Sequence, residues 1–370
     1  MRYGTLTTRS FTLFYRENEP LVEANEETQP GGDRRVFVRV RFVVGLLISA
    51  GAIYAVVSAA GGLADSFHAL GSARPGLLVA AALVEAASYF CLGLLIRRLA
   101  GPGVDRITGV RLGLVVAGLG NILPASPAEG LTMAGNELRR RGVGSHRRLI
   151  VLGMTQWYST RALFGVAALD ALVLATIASV RYPSHGSRPL VLAAVALVTL
   201  GVLGITAWLA TRRQTVELIA VIGGRLRFWK TPAPAPDRRA RGAAWHEEIS
   251  ELLGSTRNQL VFVGLALAAC LADGACFRFA LVAVGVHVSV GLFLLAYALG
   301  MIGALIPLVP AGLGIVETVV PAILHHSGVP LPTALAGVVA YRVLGTLLPA
   351  VAGTAALFRL RSSAARSRGV

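Results

Sequence analysis

Long apolar runs separated by short polar stretches dominate the chain. Runs at roughly 42–60, 77–96, 150–180, 189–210, 259–284 and 333–358 each provide about the 20 residues that a helix needs to cross ~30 Å of hydrocarbon. They predict six full spans in an all-α polytopic membrane protein. Two further apolar stretches, about 112–134 and 290–325, are broken by proline and glycine. The first contains Asn121-Ile-Leu-Pro124-Ala-Ser-Pro127-Ala-Glu129-Gly130. The second contains Ile306-Pro307-Leu-Val-Pro310-Ala-Gly312-Leu-Gly314-Ile-Val-Glu317. An unbroken helix satisfies its own backbone in lipid, whereas a broken one must line a cavity or be buried in protein. Paired breaks in the two halves of a chain point to a transporter binding site.

Charge turns this pattern into a topology. Arg97, Arg98, Arg106 and Arg111 precede the first break, and Arg139, Arg140, Arg141, Arg147 and Arg148 follow it. Positive charge marks cytoplasmic loops, so both ends of this stretch are expected inside, as in a re-entrant hairpin. The flanks of the second break, 285–289 and 325–332, hold no Lys or Arg and are expected outside. Of 35 Lys and Arg residues, this arrangement puts Arg74, Arg181 and Arg188 outside and Arg161, Arg278 and Arg342 in the membrane. The rest are cytoplasmic, as are both termini. Each half then has two spans, a hairpin and a third span, so the second half is inserted upside down. The expected result is an inverted repeat, with halves at about 42–180 and 189–358, whose hairpin tips meet near the bilayer midplane.

Composition agrees with a membrane protein: 55% of the 370 residues are hydrophobic, 15% are charged, and mean hydropathy is +0.67. The net charge of +16 sits in loops beside the spans, which argues for anionic lipid and against nucleic acid as its counterpart. Residues 1–41 mix arginines with Glu17, Glu19, Glu23, Glu26, Glu27 and Pro/Gly, and read as a flexible cytoplasmic tail ahead of an uncleaved first span. The 211–258 loop carries Val216, Ile219, Ile222, Leu226 and Trp229 at helical spacing among arginines. It predicts an amphipathic helix on the inner leaflet, followed by a Pro-rich spacer and a short helix near Trp245–Leu253. A basic tail, 359–370, closes the chain. Cys91, Cys270 and Cys276 have neither disulfide nor zinc spacing and read as small buried side chains.

Candidate chemistry lies in the acids and bases of the apolar segments: Glu85, Glu129, Asp170, Asp273 and Glu317 with Arg161, Arg278 and Arg342. Each costs about 2.5–3.5 kcal/mol at a helix centre on the insertion scale, so each needs a partner or a role. Glu129 and Glu317 rank first because each follows a break. There they can bind a cationic group, take a proton, or cap freed N–H groups. The half-helix N-termini beside them suit a phosphate or carboxylate. Arg342 offers a phosphate its planar fork, or pairs internally with Glu317. Asp273 and Arg278 read as a structural polar cluster. Glu85 and Asp170 read as helix-packing hydrogen-bonders, Arg161 as a snorkelling side chain, and His325 with His326 as a solvated pair. Gly109, Gly113, Gly118 and Gly120 permit close backbone approach. No P-loop, G-x-S-x-G, HExxH or dinucleotide fingerprint is present, so no catalytic residue, metal or cofactor is assigned.

These motifs resemble the lysylphosphatidylglycerol synthase transmembrane region and its flippase-like stand-alone relatives, over nearly all of the chain from about residue 40. The family's Pro-Gly-Gly-Leu-Gly, followed shortly by Glu, is matched by Pro310-Ala-Gly312-Leu313-Gly314-Ile-Val-Glu317. Its downstream arginine, Leu-Pro and Gly are matched by Arg342, Leu348-Pro349 and Gly353. In the first motif Asn121, Leu123-Pro124 and Glu129 match, while Ser126 stands where the family has arginine and Ala128 where it has glycine. The resemblance implies movement of an anionic, aminoacylated or polyprenyl-phosphate-linked lipid between leaflets of the cell membrane. The headgroup would contact Asn121, Pro124, Glu129, Pro310, Gly312, Gly314, Glu317 and Arg342. Only 12 residues follow the last span, so the chain is expected to lack the synthases' aminoacyl-transferase domain and not to be an enzyme. A separate lipid synthase or glycosyltransferase is then the expected partner. The alternatives are a secondary transporter of a small polar solute and a non-transporting partner of a lipid synthase. The sequence leaves open whether copies of the chain associate.

Overall fold

The computed structural model describes residues 63–120, 127–181, 254–304 and 312–366, and these are helical throughout apart from turns. The expected tail 1–41, the spans at 42–60 and 189–210, nearly all of the 211–258 loop, and Asn121, Pro124 and Pro310 lie outside the described residues. In chain order the helices are α1 (Leu63–Gly71), α2 (Pro75–Ala100), α3 (Arg106–Leu114), α4 (Pro127–Arg140) and α5 (Ser145–Arg181). They continue with α6 (Thr256–Ala283), α7 (Val290–Ala304), α8 (Val316–His326), α9 (Leu331–Arg342) and α10 (Leu348–Arg366). Two π-helical turns interrupt this order, Val115–Leu119 after α3 and Val343–Leu347 between α9 and α10.

Among the described residues, four stretches are long and apolar enough to cross a membrane: Pro75–Ala100, Arg147–Ile177, Thr256–Ala283 and Leu331–Ser362. They coincide with four of the six apolar runs in the sequence. The expected breaks fall between short helices. Helix α7 has 15 residues and α8 has 11. At ~1.5 Å per residue neither reaches across ~30 Å. They run antiparallel, because Gly300 faces Val320, Gly303 faces Ile315 and Gly312 faces Ala304. At the first break, the π turn after α3 packs on α4, with Gly130 against Val116 and Gly120.

Helices α2 and α6 form the spine. They are antiparallel: Arg74 N–H donates to the Ala283 carbonyl at 2.9 Å, and the Ser88 hydroxyl donates to the Ala269 carbonyl at 2.9 Å. Each therefore contributes to two cores. One gathers Ala81, Cys276, Phe277, Leu281, Phe293, Val320 and Tyr341 around the second hairpin. The other gathers Leu95, Leu99, Leu112, Leu138, Phe262 and Leu360 around the first. The turns between elements follow local chemistry. Pro75 opens α2 where a missing N–H costs nothing, and Asp105 caps α3 by accepting from Thr108 N–H at 3.3 Å.

Candidate functional site

The second break is organised by two glycines with positive φ, Gly312 at 62° and Gly314 at 84°. A side chain is strained in that region, and a Cβ on Gly312 would also lie 2.6 Å from the Ala304 Cα. This backbone aims the Gly314 N–H at the Glu317 carboxylate, with N to Oε2 at 2.7 Å. Glu317 lies in the first turn of α8, where free N–H groups and the helix dipole favour a negative charge. The Thr318 hydroxyl closes the turn by donating to the Gly314 carbonyl.

Arg342, the last residue of α9, reaches the same place. Its Nε donates to Glu317 Oε1 at 2.7 Å, and one Nη donates to the Gly312 carbonyl at 3.3 Å. The side chains of this pair are 14% and 9% exposed, so the ion pair sits largely out of solvent. Two of the five guanidinium N–H donors serve these contacts; the planar fork is built to grip an oxyanion with the others. Two of the readings offered for Glu317, partner of a freed N–H and partner of Arg342, occur together, one on each oxygen.

Directly behind Arg342 is a second polar cluster. Asp273 on α6 accepts from the Tyr297 hydroxyl of α7 at 2.6 Å and from the Tyr341 hydroxyl of α9 at 2.9 Å, one phenol on each oxygen. Glu85 on α2 lies beside Asp273, Tyr89 and Cys276. It is 3% exposed, and its Oε2 has no hydrogen-bond partner. The Tyr89 hydroxyl donates to the Gly345 carbonyl at 3.0 Å, inside the π turn that follows Arg342.

The first hairpin meets the same broken helix two turns further along. A Cβ on Gly118 would lie 2.1 Å from the Pro349 carbonyl oxygen, and one on Gly353 would lie 2.5 Å from the Leu114 carbonyl oxygen. Bare backbone at both positions allows the first hairpin to press against the start of α10. Arg342 and Pro349 are therefore the two stations at which the hairpins engage α9–α10, with the π turn between them. Glu129 falls in the first turn of α4, the position that Glu317 has in α8.

Of the candidate residues, Gly312, Gly314, Glu317 and Arg342 come together as one site. Asp273 and Arg278 do not form the expected cluster: no ion pair joins them among the described residues, and Arg278 instead lies over the Phe293 ring, 5.4 Å from its centroid. Helical geometry explains this, since five residues along a helix point the two side chains to different faces. One oxygen each of Glu85 and Asp170, Oε2 and Oδ2, has no hydrogen-bond partner. Arg161 stacks on Trp157 at 4.8 Å. His325 and His326 are exposed at the end of α8, and no group of metal-ligating side chains occurs among the described residues. The sequence reasoning missed the three tyrosines, although Tyr341 adjoins Arg342. It also missed Glu137, 2% exposed, which pairs with Arg140 and Arg141 at i+3 and i+4.

Outside the membrane spans, Asp105 has its carboxyl held below the usual range, chiefly by the hydrogen bond with Thr108. It belongs to the cap of α3 and takes no part in the site.

The family model for the Lysylphosphatidylglycerol synthase TM region aligns with residues 42–353, a range that takes in both hairpins and Arg342. No curated protein matches the chain.

Proposed function

We infer that this chain, which belongs to the Lysylphosphatidylglycerol synthase TM region family, is a lipid flippase. It is a multi-pass membrane protein of a family tied to lipid handling. The proposed activity is transfer of an anionic, aminoacylated or polyprenyl-phosphate-linked lipid between the leaflets of the cell membrane. The observation that carries this reading is the Glu317–Arg342 pair, held out of solvent at a break in a helical hairpin.

The mechanism follows from the chemistry of the pair. A lipid phosphate competes with Glu317 for the guanidinium, whose planar donors match an oxyanion bidentately. Glu317 keeps the Gly314 N–H when Arg342 leaves it, which lowers the cost of the exchange. Arg342 then acts as a swivel between an internal partner and the headgroup. The acyl chains stay in the bilayer, along outward-facing apolar residues such as Leu83, Leu260, Val351 and Phe358. The two hairpins dip from opposite sides, with both termini cytoplasmic, and the headgroup crosses where they engage α9–α10. A separate synthase or glycosyltransferase supplies the lipid; the chain itself carries out no covalent chemistry.

The test is leaflet exchange of fluorescent phospholipids and polyprenyl-phosphate sugars in proteoliposomes. Exchange that is lost in folded Arg342→Met protein supports the flippase. Arg342-dependent uptake of a water-soluble solute with no lipid exchange would replace it with the secondary transporter.

A further inference from the structure

The polar cluster behind Arg342 has a task that the headgroup site does not use. Glu85 and Asp273 are two carboxyl groups side by side in the membrane interior. Asp273 has a phenol on each oxygen, which suits a carboxylate. Glu85 has less: it is 3% exposed, its Oε2 is unpartnered, and the hydroxyl of its neighbour Tyr89 donates to the Gly345 carbonyl. The nearby cation, Arg342, is committed to Glu317 at 2.7 Å and to the Gly312 carbonyl at 3.3 Å. The other titratable groups facing the pair are neutral donors or thiols: Tyr89 from α2, Cys270 and Cys276 from α6, Tyr297 from α7 and Tyr341 from α9. Two adjacent carboxylates without a cation of their own cannot both be ionised in so dry a place.

We propose that Glu85 and Asp273 form a one-proton site, with the proton on Glu85 and the charge on Asp273, and that lipid movement is linked to its occupancy. This rests on the flippase reading for the linkage, but not for the proton site itself. The connections are direct. Tyr297 is on the first limb of the second hairpin, and Tyr341 is bonded in sequence to Arg342. A shift of that hairpin withdraws a phenol from Asp273, and a shift of Arg342 changes the charge facing it. When Arg342 turns to a phosphate, Asp273 loses support and takes a second proton from water. When Arg342 returns to Glu317, Asp273 gives that proton back to water and the pair keeps the single proton on Glu85. One proton enters or leaves with no other covalent change, so a proton gradient can bias the direction of lipid transfer.

Infrared difference spectroscopy of the whole protein in lipid tests the site directly. A protonated-carboxyl C=O band at neutral pH is expected in wild type and in Asp170→Asn, and is expected to vanish in Glu85→Gln. A band that survives Glu85→Gln overturns the proton site. If Glu85→Gln fails to fold, Asp273→Asn is the second variant: it relieves the repulsion, so the Glu85 band should disappear at a lower pH than in wild type. An unshifted band overturns the proposal. For the linkage, lipid exchange in wild-type proteoliposomes should change at least threefold when an inward pH gradient is imposed, and Glu85→Gln should not respond. Exchange indifferent to the gradient in wild type overturns the linkage. No exchange in any sample overturns the flippase reading and the linkage together, and the infrared band alone then decides the proton site.

Discussion

Replacing Arg342 by methionine removes a charge and its donors but keeps a side chain of similar reach. The structure sets what is lost. Glu317 Oε1 gives up a 2.7 Å charge-assisted bond, and the Gly312 carbonyl gives up a 3.3 Å donor. Glu317 is left as an uncompensated, 9%-exposed carboxylate. Breaking a buried pair from one side costs about 3–5 kcal/mol. Here Oε2 retains the Gly314 N–H at 2.7 Å, which holds the expected loss to about 2–3 kcal/mol. Adding Glu317→Gln removes the stranded charge, so the double variant should regain part of that loss, with a coupling energy of about 1–3 kcal/mol. Reversible denaturation in mixed micelles, followed by tryptophan fluorescence, measures all four corners of the cycle. Arg342→Met costing under about 1 kcal/mol, with effects that simply add, would refute the buried pair.

Three further outcomes are expected. Gly118→Val should be strongly destabilised, by more than the ~1–3 kcal/mol typical of overpacking, because its Cβ would meet the Pro349 backbone at 2.1 Å; Gly264→Ala, with nothing within 4 Å, should be neutral or gain up to ~1 kcal/mol, as thermal melts in detergent would show. Gly312→Ala should lose lipid exchange and thermal stability together, since a positive φ of 62° and a 2.6 Å approach to Ala304 leave the Cβ no place. Asp105→Ala should cost about 1 kcal/mol at neutral pH by uncapping α3. The Asp105 carboxyl is held low in the folded protein, so its contribution is full above the unfolded value of about 4 and fades as pH falls through the folded value. Wild type and variant stabilities should therefore converge in acid, and a gap that widens there would contradict this.

Sequence made the four described membrane spans legible because hydropathy is a one-dimensional property: a helix in lipid satisfies its own backbone, so an apolar run suffices to predict it. The second break was equally plain, since Gly312, Gly314 and the following glutamate are residues whose conformational and capping preferences act locally. Arg342 stood out through its cost in the membrane, although its choice of Glu317 is a tertiary fact. The carboxyl–tyrosine cluster was not legible. Glu85, Asp273, Tyr297 and Tyr341 come from four helices, and only the antiparallel packing of α2 on α6 brings the first two together. Spacing along one helix misled in the case of Asp273 and Arg278, because proximity in sequence hid the difference in facing. The π turns left no sequence mark, yet the second sets the path between Arg342 and Pro349.

The central claim is that Arg342 hands itself from Glu317 to a lipid phosphate. Leaflet exchange of a labelled anionic phospholipid in proteoliposomes tests it most directly, comparing wild type with folded Arg342→Met and Arg342→Lys. Exchange is expected in wild type, with loss of at least tenfold in Arg342→Met and partial recovery with lysine, which keeps the charge but not the fork. Equal exchange in all three proteins would contradict it.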